Sequence, residues 1–293
     1  MKKACPYCRR KSLSKFGKRI IVRGSSYRRK SDGQRVARFW CKMCRKSFSS
    51  ATQSPCQWQK KRHRNEIVRR ALTGGVSQRE AARMLNLNRK TIVRKFLFLA
   101  QKSQKEFYRR NKALPPAVEV EFDDLETFIH SKCKPVSVTL FVEYKTRRIL
   151  DLEVAQMPAK GRLAAIARRK YGKRSDHRPL ARKRLFQRLR SQIAPDALIR
   201  SDSNPAYPLD VRSYFPEARH ELVLGGRGAI TGQGELKKLR FDPIFSLNHT
   251  CAMLRAHLSR LFRKTWNTTK KLSRLRAHLM IYALEHNRRL STN

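Results

Sequence analysis

Val118-Glu119-Val120-Glu121-Phe122-Asp123-Asp124 alternates apolar and acidic side chains before closing on two adjacent acids. A period of two is the signature of a strand with one face in a core. The pattern recurs at Val136 to Tyr144 and at Arg148 to Val154, with Lys145-Thr146 as the tight turn between them. Three consecutive antiparallel strands are therefore expected. Residues 162 to 171 and 179 to 192 then carry helical spacing, the second of them heavily basic, and Ala197 to Arg200 makes a short strand ending at Ser201-Asp202. Another strand, Arg219 to Leu224, follows a proline-punctuated segment. The glycine-rich stretch from Gly225 to Gly234 reads as a mobile loop, and Asp242-Pro243 offers a helix start with Asp as cap and Pro as first helical residue.

Upstream of Pro115-Pro116 the pattern changes to short helices. Ile67, Val68, Ala71 and Leu72 form one apolar face, and Thr73-Gly74-Gly75 stops it. Ser77 and Glu80 make an S-x-x-E capping box for a second helix. Asn88 caps a third, in the run Arg89 to Phe96, which turns Ile92, Val93 and Phe96 inward. Arg89, Lys90 and Arg94 are left to meet DNA, so the segment has a helix-turn-helix pattern.

At the start of the chain, Cys5-Pro6-Tyr7-Cys8 and Cys41-Lys42-Met43-Cys44 each carry the two-residue gap that lets both thiolates reach one tetrahedral zinc. The polar-aromatic residues between and after the pairs suit two short hairpins held by the metal. A module with so little core needs that zinc to fold. Cys56, Cys133 and Cys251 read as free thiols or small core residues, and His63 as a solvated surface group.

Charge supplies the partner. The chain has 69 Lys and Arg against 21 Asp and Glu, a net +48, and residues 1 to 118 hold 34 of the bases but only 4 of the acids. Such a surface is suited to double-stranded DNA, through release of its condensed counterions. No apolar run long enough for a membrane span, no secretory signal and no basic amphipathic membrane helix is found, so a cytoplasmic, nucleoid-associated location is expected.

The acids concentrate in the strand-rich half. Three antiparallel strands followed by helix, strand, helix or loop, strand and helix is the order of a ribonuclease-H-like α/β domain with a mixed five-stranded sheet, where an acid on the first strand meets one ending the fourth. Asp123 and Asp202 hold those places. Together they are suited to two Mg²⁺ ions about 4 Å apart for in-line attack on a phosphodiester, with Mn²⁺ as a substitute. Strand parity alone does not choose between Asp123 and Asp124.

The stretch Glu121 to Lys132, Ser201-Asp202-Ser203 ahead of Tyr207, and Leu254-Arg255 through Thr265 resemble the insertion-sequence-one family of bacterial DDE transposases and its zinc-ribbon relatives. The resemblance implies Asp123 as the first metal ligand. It also places Asn248 where the family usually has a third acid. An amide oxygen can coordinate a cation without bringing charge, and Glu235 is the alternative third residue. Arg255, Arg263, Lys264 and the basic helix at 182 to 190 would hold target or terminal DNA. The expected architecture is α+β and multidomain: a zinc ribbon at 1–55, a helix-turn-helix at 60–112 and a ribonuclease-H-like catalytic domain at 118–293. The implied activity is cleavage and transfer of DNA strands by a homodimer or larger assembly on element ends, with catalytic residues Asp123, Asp202 and Asn248. The alternative is an inactive, domesticated DNA-binding regulator.

Overall fold

The computed structural model describes residues 4–9, 19–224, 242–262 and 266–291. The chain forms two compact units, Met1–Ile67 and Val68–Asn293. Its fold is α+β, with one three-stranded sheet and one mixed five-stranded sheet.

In the first unit, β1 (Ile21–Arg28), β2 (Arg35–Cys41) and β3 (Ser47–Ser49) pair antiparallel in that order. The turn between β1 and β2 is closed by an Arg29–Asp32 ion pair and by Gly33 at φ 68°, a conformation glycine adopts without strain. Its interior is small: Ile20, Ile21, Phe39 and Phe48 pack with Cys5 and Cys41. Phe39 and Phe48 stand directly opposite each other across β2 and β3, with ring centroids 5.5 Å apart.

Three helices lead into the second unit: α1 (Asn65–Thr73), α2 (Gln78–Met84) and α3 (Arg89–Lys112). Their starts follow the sequence signals. Ser77 Oγ accepts the Glu80 N–H at 3.1 Å, and Asn88 Oδ1 accepts the Lys90 N–H at 2.8 Å. Helix α3 runs far beyond Phe96 because Leu99, Ala100, Ser103, Phe107 and Asn111 continue its buried face at helical spacing. That face lies on the last helix, α8 (Leu272–Leu290). Val68, Leu72, Ala81, Ile92 and Phe96 share one core with its Ile281. The segments 68–112 and 118–293 are thus joined through a common interior.

The five-stranded sheet has the order β6-β5-β4-β7-β8, built from β4 (Ala117–Phe128), β5 (Pro135–Glu143), β6 (Ile149–Gln156), β7 (Ile193–Asp202) and β8 (Arg219–Val223). Strand β4 is central, antiparallel to β5 and parallel to β7. It reaches four residues past Asp124, since Leu125, Thr127 and Phe128 keep burying side chains.

Helices α4 (Leu163–Tyr171) and α5 (Arg178–Leu189) come between β6 and β7, and α6 (Tyr207–Tyr214) between β7 and β8. Phe122 and Phe141 stack at 4.5 Å on one face, with Phe186 of α5 edge-on and Tyr207 of α6 tilted against Phe122. The opposite face, with Leu125, Leu140 and Leu152, packs on α7 (Phe245–His257) and α8 (Leu272–Leu290). Helix α7 begins at Phe245, not at Asp242-Pro243: Asp242 sits in the preceding turn, where its Oδ1 accepts the Ile244 N–H at 3.2 Å. Glu235, Arg263, Lys264 and the stretch 225–234 lie outside the described residues. Among the described residues, no helix is long and apolar enough to cross a membrane.

Candidate active site and metal centre

The sulfurs of Cys5 and Cys44 lie 3.6 Å apart and those of Cys8 and Cys41 3.7 Å, all four within 4.8 Å of one another. A tetrahedral zinc with bonds of about 2.3 Å needs sulfurs roughly 3.8 Å apart, close to these two separations, so the four thiols are placed to share such an ion. Burial alone would raise the Cys5 thiol, yet backbone N–H groups of Cys8 and Tyr7 point at its sulfur and bring it down to about 7. Burial pushes Cys44 up to about 12. Four thiolates this close repel one another, and a bound cation removes the conflict.

In the larger unit, Phe122 of β4 pairs with Ser201 of β7, so Asp123 and Asp202 follow side by side on neighbouring parallel strands. Burial pushes Asp123 up to about 7, and the charges of Asp202 and Asp124 add to the rise. Asp202 is raised by burial and then by Asp124. The three carboxylates therefore sense one another. Asp123 Oδ1 accepts the Tyr207 hydroxyl at 3.2 Å and the Asp124 N–H at 2.5 Å, which fixes its orientation. Asp124 takes the Thr139 hydroxyl on one oxygen at 2.5 Å, while its buried Oδ2 has no partner.

What sets these acids apart is the company they lack. Most other carboxylates of this basic chain are matched, as Glu143 is with Arg148, Asp151 with Arg188, Asp176 with Arg178 and Asp210 with Arg182, while Glu121, Asp242 and the exposed Asp196 and Glu217 form no ion pair among the described residues. Asp123, Asp124 and Asp202 form no ion pair with Lys or Arg among the described residues. Acids that feel one another's charge, one with an unpartnered buried oxygen, offer donors of the kind a hard divalent cation accepts, while among the described residues the four cysteines are the group of three or more ligands already close enough together to hold an ion.

Helix α7 is docked beside them by Glu121, two residues before Asp123 and so on the same face of β4. Its fully buried Oε2 accepts the Leu247 N–H at 2.7 Å, satisfying one of the free donors in the helix's first turn. Burial pushes Glu121 up to about 7, and its Oε1 is left without a partner. Asn248 is half-buried next to this anchor and donates to Asp242 Oδ2 at 2.9 Å. Cys251, one turn on, is pushed up to about 12 by burial and then by the charge of Asp123, so this face of α7 fronts the acids.

Sequence reasoning weighed Asp124 only as an alternative to Asp123, and missed Glu121, Tyr207 and Asp242 as members of the neighbourhood. The two-residue spacing of Glu121 and Asp123 was the available signal for one of them. Asp242 was legible only as a helix cap.

Arg89, Lys90 and Arg94 are exposed on the first turns of α3, and Arg255 is exposed on α7. The basic helix at 182 to 190 differs from expectation. Arg182 is buried against Asp210, and Arg188 holds Asp151 and Glu153, so these two arginines tie α5 to its neighbours; Lys183 and Arg184 remain exposed.

No protein-family model matches the chain, and a search of curated proteins finds no match.

Proposed function

We propose that this protein is a DNA transposase, its larger unit a ribonuclease-H-like domain and its first unit a zinc ribbon. The observation that carries the reading is Asp123 and Asp202 side by side on β4 and β7, with no ion pair to Lys or Arg among the described residues in a chain of net charge +48. A chain this basic does not want for cations to pair with acids. Burying two acids side by side without such a partner costs stability, which a bound metal would offset.

Asp123 and Asp202 are the ligands for two Mg²⁺ ions, for which Mn²⁺ can substitute. When bound, the ions polarise the scissile phosphate and stabilise charge on the attacking and leaving oxygens. Tyr207 holds the Asp123 carboxylate in place, Glu121 pins the start of α7, and Asn248 contributes an uncharged amide oxygen where the family resemblance has an acid. Arg89, Lys90 and Arg94 on α3 grip duplex DNA at the element ends, and Arg255 binds DNA closer to the acids. Bringing two ends together calls for a homodimer or a larger assembly.

The test incubates the full chain with duplex carrying candidate terminal repeats, with and without Mg²⁺. Asp123→Asn and Asp202→Asn are expected to retain DNA binding and lose nicking. Undiminished nicking by both variants would reject the assignment. Binding without metal-dependent nicking by the wild-type chain would leave a DNA-binding regulator.

A further inference from the structure

Away from the acids, a cavity of about 730 Å³ opens between α2, the start of α3, the pair Ser259 and Arg260, and the pair Trp266 and Asn267. Four arginines line it, Arg79, Arg83, Arg89 and Arg260, against a single acid, Glu80, which is already paired with Arg83 at 2.6 Å. Among the described residues Arg260 has no acid and no hydrogen-bond acceptor. Its guanidinium lies over the Phe96 ring at 5.3 Å, and burial, with Arg274 nearby, lowers it to about 10. A desolvated guanidinium facing an open cavity is a site for an anion.

Two residues of the lining also carry a buried polar atom without a partner. His278 is only 1% exposed; its Nε2 donates to the Leu72 carbonyl at 2.9 Å, which leaves Nδ1 as a bare acceptor. Gln78 Nε2 is a donor with nothing to bond. At the rim stands Trp266, 77% exposed. Guanidinium, acceptor, donor and indole around one space match a phosphate and a nucleobase together. The volume falls in the range of small-ligand sites.

We propose that this cavity seats a single unpaired nucleotide of the bound DNA, its phosphate on Arg260, its base against Trp266 and its polar edge on His278 and Gln78. The inference rests on the DNA-binding reading above and adds to it a means of sensing a base out of the stack beside α3. Indole stacking supplies affinity without base identity, and the two buried polar atoms supply the preference.

The experiment compares binding of the full chain to a fully paired duplex and to the same duplex with one unpaired nucleotide. The wild-type chain is expected to favour the second by about tenfold, the equivalent of one base stacked on an aromatic ring. Trp266→Ala and Arg260→Gln are expected to abolish the preference while binding the paired duplex as before, and Trp266→Phe to keep most of it. Trp266 is exposed, so its variants test the idea even if Arg260→Gln unfolds. Equal binding of both duplexes by the wild-type chain, or a preference that survives Trp266→Ala, overturns the inference. Abolition of the preference by a free mononucleotide would overturn it in favour of a soluble ligand. No duplex binding at all would sink the DNA-binding reading with it, whereas tight paired-duplex binding without the preference sinks this inference alone.

Discussion

Asp123 and Glu121 are both carboxyls whose burial favours the neutral form, each pushed up to about 7. The folded chain therefore holds protons that the unfolded chain would release. What these groups contribute is full below about pH 4 and is lost as the pH climbs through about 7. Without added divalent metal, the melting temperature is expected to fall between about pH 5 and 8, and Asp123→Asn to flatten that fall. Added Mg²⁺ should raise the melting temperature of the wild-type chain at the upper end of the range and leave Asp123→Asn unmoved. Thermal denaturation across the range checks this, and identical slopes for the two chains would count against a strained carboxyl at 123. Asn248 lies at the same scale: its amide is held by Asp242, so Asp242→Ala should free the side chain and lower nicking without weakening duplex binding.

Among elements, the caps carry a measurable share of the helix-turn-helix. Replacing Ser77 or Asn88 by Ala removes a hydrogen bond to the first turn of α2 or α3 and should cost about 1 kcal/mol each in denaturant unfolding. These helix starts were legible because a cap is local chemistry within four residues. So was the alternation of β4, including the pairing of Asp123 with the strand that ends at Asp202. The length of α3 was not, since its second half is helical through burial against α8, a partner more than 160 residues away along the chain. The same limit hid the roles of Arg182 and Arg188, whose partners Asp210 and Asp151 lie on other elements. Composition marked α5 as a DNA-facing helix, whereas pairing makes part of it a structural tie. In the first unit, the three strands enclose so few apolar side chains that the thiols must do the rest. Stripping zinc, or Cys41→Ser, is expected to erase amide hydrogen-exchange protection in β1 to β3 while β4 and β5 keep theirs; protection unchanged in β1 to β3 would mean that the sheet stands without metal.

Across the whole molecule, positive charge is abundant and negative charge is placed. Exposed Arg89, Lys90 and Arg94 should each contribute to a steep loss of duplex affinity with salt, and changing any one to Gln should reduce the slope by about 0.9 if it contacts a phosphate. An unchanged slope for all three would remove α3 from the interface. The acids play the opposite part: among the described residues most pair with a basic side chain, whereas Asp123 and Asp202 do not and meet where β4 and β7 run side by side. The most direct measurement of that convergence is Mn²⁺ binding to the full chain, followed by its paramagnetic resonance signal. The wild-type chain is expected to take up the ion with loss of the free signal, and Asp123→Asn and Asp202→Asn to leave it in solution. Equal uptake by all three chains would contradict a metal site between these two strands.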